Sequence, residues 1–209
     1  MRSSHLRPEE AGQDLVVGQL VADRASREWC LFLDRDGVLN KQIVGDYVRD
    51  WRQFEWLPRV TEALRILRQW APYLVIVTNQ QGIGKGLMSV ADVDDIHKRL
   101  GAELASQGVT IDGFQVCPHL LSDDCACRKP RTGLILDWLA TRPQIEPALS
   151  IMAGDSPSDL ELARNLAAEA GGCGYIHIGN SSTEGVDAAF DSLWDFATSV
   201  ARVQGERSS

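Results

Sequence analysis

Five short apolar runs rich in β-branched and aromatic residues recur along the chain, at 29–33, 73–78, 114–117, 149–153 and 175–178. Between them lie segments of helical periodicity at 58–70, 90–107, 134–141 and 159–169. Pro58 suits a first helical turn, and Gly171 follows the last segment. A chain that returns through a helix after each buried strand builds parallel strands. The spacing therefore predicts a doubly wound, Rossmann-like α/β sheet with its ligand site at the carboxyl ends of the strands. Asp34 follows the first run, Thr78 and Asn79 close the second, Cys117 ends the third and Asp155 follows the fourth. Four separate segments thus deliver reactive side chains to one edge of the sheet.

With 209 residues, 44% of them hydrophobic, the chain can bury one sizeable core, which we expect over 29–202. Residues 1–28 read as an N-terminal extension outside that core and 203–209 as a tail. Asp and Glu exceed Lys and Arg by 29 to 21, a formal charge of −8. That balance argues against a nucleic acid or an anionic membrane as partner and for a small molecule. The apolar runs fall far short of the roughly 20 residues that cross a bilayer, and the first 28 residues do not read as a secretory signal. A cytoplasmic monomer is the expectation.

Asp34-Arg35-Asp36-Gly37 presents two carboxylates at i and i+2 in a turn that glycine permits. Such a pair can divide labour, one facing the substrate and the other the leaving group. By itself the stretch also fits an ordinary Asx turn. A calcium loop is a poorer fit, because Val38 and Leu39 stand where it needs an oxygen ligand and a glycine. Thr78-Asn79-Gln80-Gln81-Gly82-Ile83-Gly84-Lys85-Gly86 joins a hydroxyl and amides to glycines that expose backbone N–H groups, a plausible phosphate cradle. It is not a Walker loop, since Gly86 follows Lys85 where Ser or Thr is required.

Cys117, His119, Cys125 and Cys127 supply three sulfurs and one nitrogen within eleven residues, the complement of a closed tetrahedral Zn²⁺ site with a structural role. The odd cysteine count then needs no disulfide, with Cys30 and Cys173 left as buried thiols. The basic run Arg128-Lys129-Pro130-Arg131 follows directly, tethered to that stiffened loop. Asp155, at the end of the fourth run, can join Asp34 on a hard cation such as Mg²⁺. Asp159 either caps the next helix or adds to that metal site.

Taken in order, Asp34-Arg35-Asp36-Gly37, Thr78-Asn79-Gln80, Arg128-Lys129-Pro130 and Gly154-Asp155-x-x-x-Asp159 resemble the four motifs of the haloacid dehalogenase superfamily of phosphohydrolases. The resemblance covers about 29–179. The zinc segment, and the lack of room for a cap domain between Asp34 and Thr78, point to the capless branch that includes heptose bisphosphate and histidinol-phosphate phosphatases. It implies that Asp34 is a nucleophile forming an aspartyl-phosphate and that Asp36 is the acid and base. It also implies that Mg²⁺ is held by Asp34, the Asp36 carbonyl and Asp155, and that Thr78 and Lys129 hold the phosphoryl oxygens.

Asn79, Gln80, Arg35 and Arg128 are then substrate contacts. Val44-Gly45-Asp46-Tyr47-Val48 resembles the sugar-contacting stretch of the heptose enzymes, through Gly45, Asp46 and Tyr47. Lys85, with Arg128 and Arg131, would meet a second phosphate. The substrate implied is a phosphorylated small molecule, a heptose 1,7-bisphosphate losing its 7-phosphate ahead of histidinol phosphate. Of other classes, a polynucleotide 3′-phosphatase shares the Thr-Asn-Gln-x-Gly-Ile motif but conflicts with the acidic charge. A non-catalytic zinc-stabilised binding module conflicts with the presence of Asp34, Asp36, Lys129 and Asp155 together.

Overall fold

The computed structural model describes residues 8–180 and 185–207. Six parallel strands form one sheet in the order β3-β2-β1-β4-β5-β6: β1 (Cys30–Leu33), β2 (Tyr73–Asn79), β3 (Gly113–Cys117), β4 (Ile151–Gly154), β5 (Gly174–Ile178) and β6 (Ala188–Phe190). The doubly wound expectation holds, with β6 as an added edge strand. Alternation along each strand sorts the core into two layers. Leu31, Leu33, Leu74, Ile76 and Ile151 pack on one face, and Phe32, Val75, Val77 and Met152 on the other. Each such side chain contributes on the order of 1.5–3 kcal/mol of burial.

The helices α2 (Val60–Trp70), α3 (Val90–Ser106), α4 (Gly133–Ala140) and α5 (Pro157–Ala170) match the expected helical segments to within a few residues. On α2, Val60, Ala63, Leu64 and Leu67 form the buried stripe, the i, i+3, i+4, i+7 pattern of a helix lying on a sheet. Between β1 and β2 lie only loop, a single 3-10 turn and α2, so no cap domain is inserted there.

Two expectations about the ends are corrected. Residues 8–28 do not lie outside the core: Pro8–Asp23 forms α1, whose Val17 and Val21 are buried in the same cluster as Val200 and Val203. The tail expected from residue 203 is likewise the last part of a further helix, α6 (Leu193–Arg207). Ser199 Oγ donates to Asp14 at 2.6 Å and Arg202 pairs with the same carboxylate at 3.0 Å. These partners stand about 185 residues apart in sequence, so local periodicity could not reveal the pairing. Residues 1–7 and 208–209 of those two expectations lie outside the described residues. Among the described residues no helix is long and apolar enough to cross a membrane.

Candidate active site

The strand order reverses at β1, with β2 on one side and β4 on the other, and such a switch point opens a crevice beyond the carboxyl ends of the strands. Asp34 lies one residue past β1 and Asp155 one past β4, so both carboxylates enter this crevice. A cavity of about 210 Å³ occupies it, lined among others by Asp34, Asp36, Thr78, Asn79, Lys129 and Asp155, and by Asp46, Tyr47 and Ser156. Two glycines make the crowding possible. A Cβ on Gly37, whose φ is +91°, would stand 1.9 Å from Asp155 Oδ2, and one on Gly154 would stand 2.4 Å from Asp159 Cβ.

Lys129 is the electrostatic hub. Its ammonium lies 2.8 Å from Asp34 Oδ1 and 2.7 Å from Asp159 Oδ1 and donates to the Val77 carbonyl at 2.9 Å. Burial acts to lower the Lys129 ammonium, but the pull of Asp159 and Asp34 outweighs it and raises it above the ordinary lysine value. Asp159, fully buried, also accepts from the Ser156 N–H at 3.2 Å and from Ser156 Oγ at 2.6 Å. Of the two roles left open for it, helix capping is therefore the one its contacts display, with Lys129 as its counter-ion.

One ammonium does not balance three carboxylates. Burial, then the charge of Asp159, pushes Asp34 up to about 8 despite Lys129, and the same two causes push Asp155 up to about 6. Carboxylate oxygens of Asp34, Asp155 and Asp159 lie within 4.8 Å of one another. Such a group is short of positive charge at neutral pH, and a hard dication suits its all-oxygen donors.

Asp36 is held from behind. Its Oδ1 accepts from Asn40 Nδ2 at 2.8 Å, and its Oδ2 accepts from Gln80 Nε2 and Arg35 Nη2, each at 2.9 Å. Two expected substrate contacts are corrected here. Arg35 and Gln80 are fully buried, and their side chains face Asp36 from the interior of the protein. The turn after β1 sends Asp34 and Asp36 toward the cleft and Arg35 between them into the core. Gln80 also donates to Thr78 Oγ1 at 2.8 Å, which leaves the Thr78 hydroxyl proton to be donated elsewhere.

The remaining expected contacts divide. Asn79 faces the cleft and ties its two walls together, exchanging hydrogen bonds with the Lys129 backbone at 3.0 and 3.1 Å. Asp46 and Tyr47 line the cleft, with Asp46 engaged by Arg49 at 2.6 Å. Gly45, at φ +75°, turns that loop without lining the cavity. Lys85 stands outside the lining, its ammonium 5.2 Å from the Tyr47 ring centre. Arg128 also lies outside it, with a buried Nη1 that has no hydrogen-bond partner. Arg131 pairs with Asp124 and donates to the Cys125 carbonyl at 2.9 Å, so it closes its own loop.

Asn40, which holds Asp36, and His97, which contacts Arg35, are polar residues that sequence reasoning passed over. The available signal was a polar side chain in an apolar setting. Asn40 follows Val38-Leu39, and His97 shares the buried stripe of α3 with Val93, Ile96, Leu100 and Leu104.

Cys117, His119, Cys125 and Cys127 converge beyond β3, their donor atoms within 4.8 Å of one another. The three sulfurs are 3.3 to 3.6 Å apart, and His119 Nδ1 is 3.1 Å from Cys127 Sγ. A tetrahedral zinc ion, with bonds to sulfur of about 2.3 Å, spaces its ligands roughly 3.7 Å apart, so these residues fit one. All five cysteines are free thiols.

No protein-family model matches the chain. It is 64% identical, over 189 residues, to the D-glycero-alpha-D-manno-heptose-1,7-bisphosphate 7-phosphatase of Mycobacterium tuberculosis H37Rv, an alignment covering 90% of this chain and 100% of the relative. It is 34% identical over 191 residues to the D-glycero-beta-D-manno-heptose-1,7-bisphosphate 7-phosphatase of Vibrio cholerae, covering 83% and 97%. The fold matches the crystal structure of D,D-heptose 1,7-bisphosphate phosphatase from B. bronchiseptica complexed with magnesium and phosphate, with a TM-score of 0.71 and 30% identity over 83% of this chain and 98% of that one.

Proposed function

The chain belongs to the heptose-1,7-bisphosphate 7-phosphatases of the haloacid dehalogenase superfamily, and from that premise we propose that it removes the 7-phosphate of D-glycero-α-D-manno-heptose 1,7-bisphosphate. The α anomer is carried by one observation, the 64% identity to a relative named for it, against 34% to the V. cholerae relative named for the β form. The reaction class is supported by the cleft, where a nucleophile, an acid and a hydroxyl donor meet beside a buried ammonium.

In this reading an Asp34 carboxylate oxygen attacks phosphorus in line, the bond to the sugar oxygen breaks, and Asp36 gives that oxygen its proton. Water then attacks the aspartyl-phosphate and gives its proton to Asp36, releasing phosphate and freeing Asp34. The Thr78 hydroxyl donates to a phosphoryl oxygen. Lys129 supplies positive charge to the phosphoryl oxygens and fixes the Asp34 carboxylate. Asp34, Asp155 and the Asp36 carbonyl would hold Mg²⁺, which supplies positive charge between the carboxylate and the phosphate dianion. Cys117, His119, Cys125 and Cys127 would hold structural Zn²⁺ and so fix the loop that leads into Arg128 and Lys129.

Asp46, Tyr47 and Asn79 contact the sugar. Lys85 and the unpartnered Arg128 nitrogen suit the distal phosphate. In this reading the protein works as a cytoplasmic monomer on this small substrate, and the net charge of −8 argues against a nucleic acid or anionic membrane partner. A phosphate-release panel with Mg²⁺ tests it. The α anomer should exceed the β anomer in kcat/KM by about 10-fold or more, and histidinol phosphate by a wider margin. Equal rates for the two anomers would overturn the anomer assignment, and a histidinol phosphate preference would overturn the sugar.

A further inference from the structure

Behind Asp36 lies a chain of buried polar contacts that runs away from the cleft to a helix on the other side of Arg35. Arg35 is fully buried, and its guanidinium touches Asp36 through Nη2 and His97 through Nη1, the latter at 3.2 Å. A guanidinium only donates, so His97 Nε2 is the acceptor and its imidazole is neutral, with the proton on Nδ1. Burial, then the charge of Arg35, pushes His97 down to about 3 against a weaker upward pull from Asp36, which agrees with that assignment. The ring has little freedom to turn. It is 4% exposed and stacks on Phe114 with centres 4.7 Å apart and planes 17° from parallel.

We propose that His97 is a positioning residue for the acid and base: its Nε2 fixes the Arg35 guanidinium, which in turn fixes the Asp36 carboxylate toward the leaving-group oxygen. A core leucine would fill this position on α3 with less desolvation. The polar ring there has one contact that matters to the cleft, a buried cation bonded to the side chain that moves the proton. Asn40 and Gln80 grip the same carboxylate, so loss of His97 loosens Asp36 without releasing it.

The proposal rests on the role assigned above to Asp36, and the test separates the two. Protonation of the leaving oxygen matters for an alkyl phosphate such as the sugar substrate. It matters little for p-nitrophenyl phosphate, whose phenolate leaves as a stable anion. Comparing kcat/KM for the two esters on one preparation cancels any difference in the folded fraction. His97→Leu, which removes the acceptor, should lower kcat/KM about 10-fold or more on the alkyl ester and less than about 3-fold on the aryl ester, as a partial loss of general acid catalysis requires. His97→Gln, whose Oε1 can accept from Arg35, should recover most of the alkyl activity.

Equal falls on both esters in His97→Leu, or a His97→Gln variant with the same alkyl-to-aryl ratio as His97→Leu, would overturn the proposal. Asp36→Asn is the control, expected to lose about 10²-fold or more on the alkyl ester and much less on the aryl. If Asp36→Asn lowers both esters alike, the acid assignment itself fails, and the positioning role with it.

Discussion

Two aspartates two residues apart take different environments because the turn after β1 faces them differently. Asp34 meets Lys129 and the other acidic groups, while Asp36 is gripped by Arg35, Asn40 and Gln80. Asp34→Asn should abolish phosphate release yet leave the melting temperature of the metal-free protein unchanged or higher, since it removes a buried charge crowded by Asp159. Calorimetry beside a phosphate assay checks this, and retained turnover would sink the nucleophile assignment. His97 gives a pH effect with a definite sign. Its imidazole titrates near 3 when folded, under the influence of burial, Arg35 and Asp36, and near 6.5 when unfolded. Between those values only the unfolded chain takes up the proton. Its contribution to stability is therefore present at neutral pH and is lost, by up to about 1.4 kcal/mol per pH unit, as the pH falls below about 6. Thermal melts of wild type and His97→Gln should accordingly converge between pH 7 and pH 5, and a gap that stays constant would contradict the neutral buried ring.

At the scale of elements, the loop from β3 to α4 does two jobs with one stretch of chain. Cys117 ends β3, the other three thiol and imidazole donors follow in the loop, and Lys129 enters the cleft immediately beyond them. A loop of this length has little apolar surface to bury, and a metal on these four donors would give it one conformation. The purified protein should carry about one zinc per chain by elemental analysis. Cys127→Ser should lose that zinc and most of its activity although Cys127 lines no part of the cleft. Full activity in zinc-free protein would refute the structural role. Mild EDTA, by contrast, should remove only the Mg²⁺-dependent activity, restored on adding the ion back. The first five strands, the central helices and the cluster of four thiol and imidazole donors were legible in the sequence because each is specified by residues within a few positions of one another, whereas the short edge strand β6 was not. The roles of Arg35 and Gln80 were not, since adjacent residues beyond a strand end face opposite ways according to a turn that spacing does not describe.

The whole molecule stands on contacts between distant parts of the chain. The helix α1, expected to lie outside the core, closes one layer by packing on α6, with Val17 fully buried. Val17→Ala should destabilise the protein by about 2 kcal/mol in denaturant melts and leave kcat unaltered, while Val44→Ala, at a position 94% exposed, should change stability little. A Val17→Ala variant as stable as wild type would return α1 to the status of an appendage. The sequence by itself determined the alternation of strands and helices, the arrival of four reactive segments at one sheet edge, and the four zinc-type donors. These follow from short-range spacing, from the polarity of single residues and from the fixed geometry of parallel sheets. Only the tertiary structure decided which polar side chains face the cleft and which brace it from behind, how α1 docks, and that His97 reaches Arg35 across 62 residues of sequence. Those choices depend on the direction of a side chain after a turn and on partners far along the chain, neither of which local periodicity encodes.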